Sequence, residues 1–404
     1  MKVLVLVASG MHPAFVGCYG NEWLATPALD RLAAEGIVFD QHYAVQPERA
    51  AARQVLRTGR YLLPRPDTGL PDRPPHSVDL FEHLQANGVN TVTIEQPTGP
   101  GSADGPRGLT KMAELIVRAV RAWHAQSPCL IYVECLALLP PWQIAEEFLP
   151  SDAADDDEDA ELDANDRDIL ARQRQYAAAI TQFDRWLGQL LTELERDDML
   201  EELHCLLTSD HGQLLMEQRA AAAPGSSVHE EIIHIPLIVR LPNKAEAGRR
   251  VAALTQTVDL FPTLCEWFGV PTPPVHSHSL LPLLQGKTER TRAYVVAGAR
   301  VEDSVEWALR TPEWGLMMPA RPKEAGQQIQ SRLYVKPDDR WEVNDLCQHH
   351  QEWVERLEQT LRVFIQAACG PGPWQPPELP AFVSASSDVN DKSKHPVNEK
   401  GAPP

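Results

Sequence analysis

Basic residues are scarce in this chain: 37 Lys and Arg stand against 56 Asp and Glu, a net charge of −19. A polyanion needs a basic footprint on its partner, so nucleic acid is excluded as a ligand class, and adhesion to anionic lipid is disfavoured for the same reason. Long apolar runs are also missing, which argues against a membrane-spanning helix. The opening MKVLVLVASG holds too short an apolar run for a secretory leader, with only Lys2 ahead of it, so a buried strand is expected there. Paired cysteines are the third absence. The seven cysteines (Cys18, Cys129, Cys135, Cys205, Cys265, Cys347, Cys369) are odd in number and lack CxxC spacing. That argues against a disulfide framework or zinc site and for reduced, buried thiols in a cytoplasmic protein.

What is present suits a large core. A length of 404 residues with 43% hydrophobic content predicts one large domain and a smaller one. Strand-like and helix-like segments alternate, the pattern of an α/β fold with a mixed, mostly parallel sheet between helices. VLVLVA reads as a strand, and TPALDRLAAEG as a helix with Thr26 as N-cap, Pro27 at its first position and Gly36 just past its end. RAAARQVLRTGR and SVDLFEHLQANG read as helices, TVTIE as a strand, and KMAELIVRAVRAWHAQ as a helix feeding the strand CLIYVECL. Residues 151–166 are an acidic run expected to be a solvated loop. In the long segment after it, Tyr176, Ile180, Phe183, Leu187 and Leu190 fall on one helical face. The strand LHCLLTS follows, then IIHIPLIVRLP as a further strand and TVDLFPTLCEWFGV as a helix. From about residue 290 the pattern becomes short strands, RAYVVAG, WALRT, WGLMM and SRLYVK, before a last helix. A small C-terminal antiparallel sheet with one helix is predicted over 290–369 after a domain of 1–289, with a disordered tail from 370 to 404.

In LLTSDHGQLL, residues 206–215, an apolar run ends in Asp210, His211 and Gly212. Open α/β sheets bind ligands beyond the carboxyl ends of their strands, so this turn is a candidate site.

The order of segments resembles the sulfatases of the alkaline phosphatase superfamily. The resemblance rests on GCYGNEWLATPALDRLAAEGIVFDQHYA, TGRY, YAAAITQFDRWLGQLL, LLTSDHG, HEEIIHIPLIVRLP, VDLFPTLCEWFGV, SLLPLLQGK and RLYVKPDDRWEVNDL, all in the family's order. It implies a large α/β domain, a small four-stranded C-terminal domain and sulfate ester hydrolysis. Fold alone does not license the activity. In active members the cysteine or serine of a CxPxR motif becomes the formylglycine nucleophile. The matching stretch here is RAAAR, with Arg49 at the nucleophile, Ala51 at the proline and Arg53 at the closing arginine. A guanidinium stays protonated and cannot be a nucleophile. The family's divalent ion, usually calcium, lies between two pairs of residues. The second pair survives as Asp210 and His211, a vestigial metal pair, and the first reads Ser9 and Gly10. Calcium wants about six to eight oxygen ligands including carboxylates. The family's substrate-polarising histidine corresponds to Leu139, and its lysine falls near Gly225.

Three expectations follow. Arg49 pairs with Asp210 in the metal's place, and no cofactor is needed unless an active site survives, when calcium is expected. Arg49 and Arg53, four residues apart at a helix start, offer an anion-binding site for a sulfate or phosphate ester. His229, beside Glu230, and His12 are further acid–base candidates whose commoner role is structural. The reading is a catalytically degenerate sulfatase-like protein. Its alternative is an active sulfuric ester hydrolase with an atypical residue set.

Overall fold

The computed structural model describes residues 1–66, 77–96, 105–123, 128–149, 164–196, 198–215, 227–301, 304–320, 330–370 and 374–380. Seven strands form the larger sheet: β1 (Lys2–Ala8), β2 (Ile37–Tyr43), β3 (Asn90–Glu95), β4 (Cys129–Cys135), β5 (Leu203–Thr208), β6 (Leu237–Arg240) and β7 (Arg249–Gln256). Their order is β3-β4-β1-β5-β6-β2-β7. Only β6 runs antiparallel to its neighbours. The remaining pairs are parallel.

A strand's side chains alternate between faces, and β1 is covered on both. Leu4, Leu6 and Ala8 pack with α1 (Pro27–Ala34), α4 (Gly105–Trp123) and α5 (Ala164–Arg196). Val3, Val5 and Val7 pack with α2 (Arg49–Thr58), α3 (Leu80–Ala86) and α7 (Leu260–Trp267). The predicted stripe Tyr176, Ile180, Phe183, Leu187 and Leu190 is buried on α5. Thr26 does occupy the cap position of α1, but its side chain makes no cap bond. Asp184 of α5 accepts the free amides of Ala28 and Leu29 at 3.1 and 2.8 Å instead.

The segment IIHIPLIVRLP differs from the expected single strand. Glu230–Ile233 form a short helix, α6, and only Leu237–Arg240 extend as β6. The C-terminal unit is as predicted in kind. It has strands β8 (Val295–Val301), β9 (Ser304–Arg310), β10 (Trp314–Pro319) and β11 (Arg332–Val335), antiparallel in the order β11-β10-β9-β8. A short helix α8 (Leu281–Leu284) precedes them and α9 (Gln351–Cys369) follows. One face of this sheet packs on α9 through Val354, Leu357, Leu361 and Phe364. Its other face meets Tyr43, Ile232, Ile233 and Leu254 of the large unit.

The acidic run lies outside the described residues up to residue 163, and 164–166 begin α5. The start of the expected disordered tail is seated. Trp374 stacks on His276 with ring centroids 4.5 Å apart and meets Phe364 edge-on, because an apolar ring gains more from that slot than from solvent. No helix among the described residues is long and apolar enough to cross a membrane.

Candidate functional site

The carboxyl ends of β1, β4 and β5 are neighbours, and the candidate residues converge there. Beyond β1 the chain turns at Gly10, whose φ is +85°, and any Cβ would sit 2.5 Å from Gln213 Nε2 and 3.0 Å from the Leu138 carbonyl. A second aspartate at this position therefore has neither the backbone geometry nor the room it needs. Tyr176 of α5 secures the turn: its hydroxyl donates to the Gly10 carbonyl and accepts the His12 amide, both at 2.8 Å. Leu139 borders the same glycine.

Beyond β5, Ser209, Asp210 and His211 are buried. Ser9 Oγ donates to Asp210 Oδ2 at 2.9 Å, and the His211 amide donates to Oδ1 at 2.9 Å. Ser209 Oγ accepts the Met11 amide and donates to the His211 carbonyl, tying the two loops together. Gly212 is required next because a Cβ there would lie 2.0 Å from the Glu231 carbonyl, and its amide donates to Ile232 at 2.8 Å. The polar turn after the apolar strand thus docks against α6.

Burial opposes charge on both members of the Asp210–His211 pair, yet each shifts the other toward its charged form. His211 Nδ1 lies 2.9 Å from Asp210 Oδ1. The carboxylate outweighs desolvation and lifts the imidazole above its ordinary value. Against the same desolvation, His211 and the Ser9 hydroxyl hold Asp210 below the usual carboxylate range.

The predicted Arg49–Asp210 ion pair is not formed. Arg49 Nη2 reaches Glu134 Oε2 at 3.1 Å. Arg53 Nη2 meets the same oxygen, and its Nη1 lies 3.5 Å from Glu95. Glu134 lies on β4 in register with Val7 of β1, and its side chain is only 4% exposed. Tyr132 donates to its other oxygen at 3.1 Å. The carboxylate thus lies under the first turns of α2 with two guanidinium groups and a hydroxyl around it. Asp210 already has Ser9, its neighbouring amide and His211. The arginines go to the acid whose charge is otherwise unmatched.

The helix N-terminus also departs from expectation. Glu48 caps α2 by accepting the Ala50 and Ala51 amides at 3.1 and 3.3 Å, so those donors are not free for a ligand.

Val7, Arg49, Arg53, Leu56, Tyr132, Glu134, Ser209, Asp210 and Thr257 enclose a cavity of about 10 Å³. That is room for roughly one water. Inside or beside it the Nε atoms of Arg49 and Arg53 and the Thr257 hydroxyl are buried without a hydrogen-bond partner. The donor set does not fit a divalent ion. Asp210 has both oxygens engaged with His211 beside it, and Glu134 across the cavity is taken by two guanidinium groups, so the set falls short of a calcium shell. Among the described residues no group of three or more His, Cys, Asp or Glu side chains gathers as metal ligands.

The other candidates separate from this centre. His12 caps a short helical turn, accepting the Ala14 amide at 3.1 Å, and burial, with Arg340 and His234 nearby, pushes its pKa down to about 3. His229 Nδ1 pairs with Glu342 at 2.7 Å, inside an ion cluster with Arg310, Glu230 and Lys336 that joins the two units. Gly225 lies outside the described residues. Sequence reasoning missed Glu134, Tyr132 and Thr257. The signal for Glu134 was a single acid in the otherwise uncharged strand CLIYVEC, every residue of which is buried.

Comparison with known proteins agrees with this architecture. A family model described as Sulfatase matches residues 2–270, and one described as N-sulphoglucosamine sulphohydrolase, C-terminal, matches 226–361. Arylsulfatase K of Mus musculus is 27% identical over 201 residues, covering 47% of this chain and 35% of that protein. Arylsulfatase K of Canis lupus familiaris is 30% identical over 201 residues, covering 47% and 36%. The matches thus span about a third of those relatives' length. Among solved structures, the phosphonate monoester hydrolase of Agrobacterium radiobacter superposes with a TM-score of 0.70 at 18% identity, covering 90% of this chain and 94% of that one. A structure in complex with its substrate D-glucosamine-2-N,6-O-disulfate does so with a TM-score of 0.70 at 17% identity, covering 91% and 97%.

Proposed function

This chain belongs to the sulfatase family, and from that premise we propose that it is a noncatalytic member whose arginine pair is an anion site for a sulfate or phosphate ester. The observation that carries the reading is Arg49, at the family's nucleophile position, bound with Arg53 to Glu134. A protonated guanidinium has no lone pair with which to attack sulfur. Gly10, in place of a metal-binding aspartate, sits in a turn that a Cβ would clash with. Leu139 cannot polarise or protonate an ester oxygen. Without nucleophile or Lewis acid, the arginine pair can hold an ester in place of Glu134 but has no means of cleaving it.

No divalent cofactor is part of this proposal, because Asp210 spends its charge on Ser9 and His211. The ligand class is supported by the arginines and by the sulfated substrate in the complex of a fold neighbour. A cytoplasmic location is supported by the seven free cysteines.

The test is turnover of an aryl sulfate and an aryl phosphate by the purified protein, with calcium, manganese or zinc added. No turnover above buffer is expected. Hydrolysis that disappears in Asp210→Ala overturns the proposal in favour of an active sulfuric ester hydrolase with an atypical residue set.

A further inference from the structure

The Arg49 and Arg53 guanidinium groups are not vacant: both end on one oxygen of a buried carboxylate that belongs to the protein itself. We propose that Glu134 is the resident ligand of this site and the residue that decides its specificity. The site takes a tetrahedral dianion only when the carboxylate leaves. The inference deepens the noncatalytic reading above and rests on it.

Three observations point the same way. The cavity volume of about 10 Å³ leaves no place for a sulfate or phosphate group beside Glu134, since that is space for roughly one water. The two arginines approach a single oxygen, Oε2, while Oε1 is held by the Tyr132 hydroxyl at 3.1 Å. A carboxylate therefore meets only part of the donor capacity of two guanidinium groups, each with five N–H bonds. The remainder is visible as buried Nε atoms of Arg49 and Arg53 without partners. Thr257, 3% exposed, lines the same cavity with its hydroxyl unpartnered. These are more donors than one carboxylate oxygen can accept from, and a tetrahedral oxyanion has the additional acceptors.

Charge balance sets the direction of the effect. Among the described residues Glu134 and Glu95 are the acids within ion-pair distance of the two arginines, and Glu95 is about half exposed at 3.5 Å. Neutralising Glu134 leaves two partly buried cations with one half-exposed carboxylate, which reaches Arg53 alone, and such a place draws in a mobile anion. Tyr132 is the latch, because its hydroxyl orients the carboxylate toward the arginines. Glu134 and Tyr132 are thus positioning residues that keep the arginine pair closed until an anion displaces the carboxylate.

The experiment is titration calorimetry of the full chain with inorganic sulfate and inorganic phosphate at low ionic strength. The forms compared are wild type, Glu134→Gln, Tyr132→Phe, and Glu134→Gln combined with Arg49→Ala and Arg53→Ala. Glutamine removes the charge that both arginines hold, so the side chain is released from the pocket and the space it filled opens to the anion. At least tenfold tighter binding is expected in Glu134→Gln, a smaller gain in Tyr132→Phe, and loss of the gain in the triple variant. Equal affinity in Glu134→Gln and wild type overturns the inference, as does a gain that survives without the arginines. If Glu134→Gln does not fold, Tyr132→Phe decides alone, and no gain there overturns it. Turnover is scored separately. Hydrolysis by wild type defeats the noncatalytic reading without touching the binding comparison, and unchanged affinity defeats the role of Glu134 without restoring hydrolysis.

Discussion

Replacing Glu342 by alanine tests what holds the two units together. Its side chain is fully buried and its carboxylate receives Arg310, Lys336 at 3.2 Å, His229 at 2.7 Å and the Glu230 amide at 3.2 Å. Glu230 sits on α6 of the large unit, while Arg310 and Lys336 belong to the smaller one, so the cluster bridges the seam. Deleting one acid leaves Arg310, itself 1% exposed, and Lys336 with Glu230 as the remaining carboxylate. Removing one partner from a buried ion pair costs about 3–5 kcal/mol, because the remaining charge is stranded in low dielectric. With an unfolding entropy of roughly 2.1 cal/mol/K per residue, a 404-residue chain loses about 5 °C of melting temperature for ~4 kcal/mol.

The pH dependence of the same cluster has a definite sign. Burial alone raises both carboxyls, but Lys336 and Arg310 outweigh it and bring Glu230 from 4.5 down to about 2. Arg310, with His229 and Lys336, holds Glu342 well below the usual carboxylate range. A carboxyl depressed on folding contributes stability that is whole above its unfolded value and is lost as pH falls through its folded value. The wild type should therefore lose stability between pH 4.5 and about 2. The Glu342→Ala variant, already without one of these acids, should lose less over that window. Urea denaturation at pH 7 and across the acid range reads both effects. A variant within about 1 kcal/mol of wild type at neutral pH refutes the reasoning, because a charge stranded by burial costs more than that.

Three further outcomes follow from local contacts. Asp184→Ala removes the acceptor for two free amides of α1 and should cost about 1–2 kcal/mol by urea denaturation, whereas Asp184→Asn should recover part of it. In Asp210→Asn the carboxylate that lifts His211 is gone while burial and Arg49 still oppose its charge. The imidazole should then titrate below 6.5, read by NMR of the ring, and an unchanged titration refutes the pairing. Trp374→Ala uncovers His276, whose pKa burial lowers to about 4. That ring should move back toward 6.5, with a loss of about 2 kcal/mol for the half-buried indole.

Much of the fold could be read because its strongest patterns are physical necessities. VLVLVA alternates onto two covered faces, and the α5 stripe repeats every three or four residues, since both elements bury apolar surface along most of their length. Strands β2 and β7 drew no reading. VFDQHY carries its polar residues where the register shifts, and RRVAALTQ is an edge strand with Arg250 and Ala252 exposed. An edge strand shows little of the apolar run that identifies a central one. Pro236 gave a similar warning in IIHIPLIV, where a residue without an N–H separates α6 from β6.

The site was legible as a place and misread in its pairing. Asp210 was the acid in the family's metal position, so the nearest guanidinium was assigned to it. Side-chain parity decides otherwise. On β4, Leu130 and Tyr132 belong to the core face shared with Leu56 of α2, and Glu134 continues that alternation two residues further on. It therefore emerges beneath the arginines of α2, while Asp210 lies past the end of β5 and turns toward Ser9. A single acid in a buried strand must find a positive partner. Two arginines four residues apart on one helix face need an acceptor. Each half of that match was present in the chain, and what joined them was which face of the sheet α2 covers. That choice depends on how the whole sheet is wound, so a changed nucleophile position can be seen in sequence long before the residue that answers it.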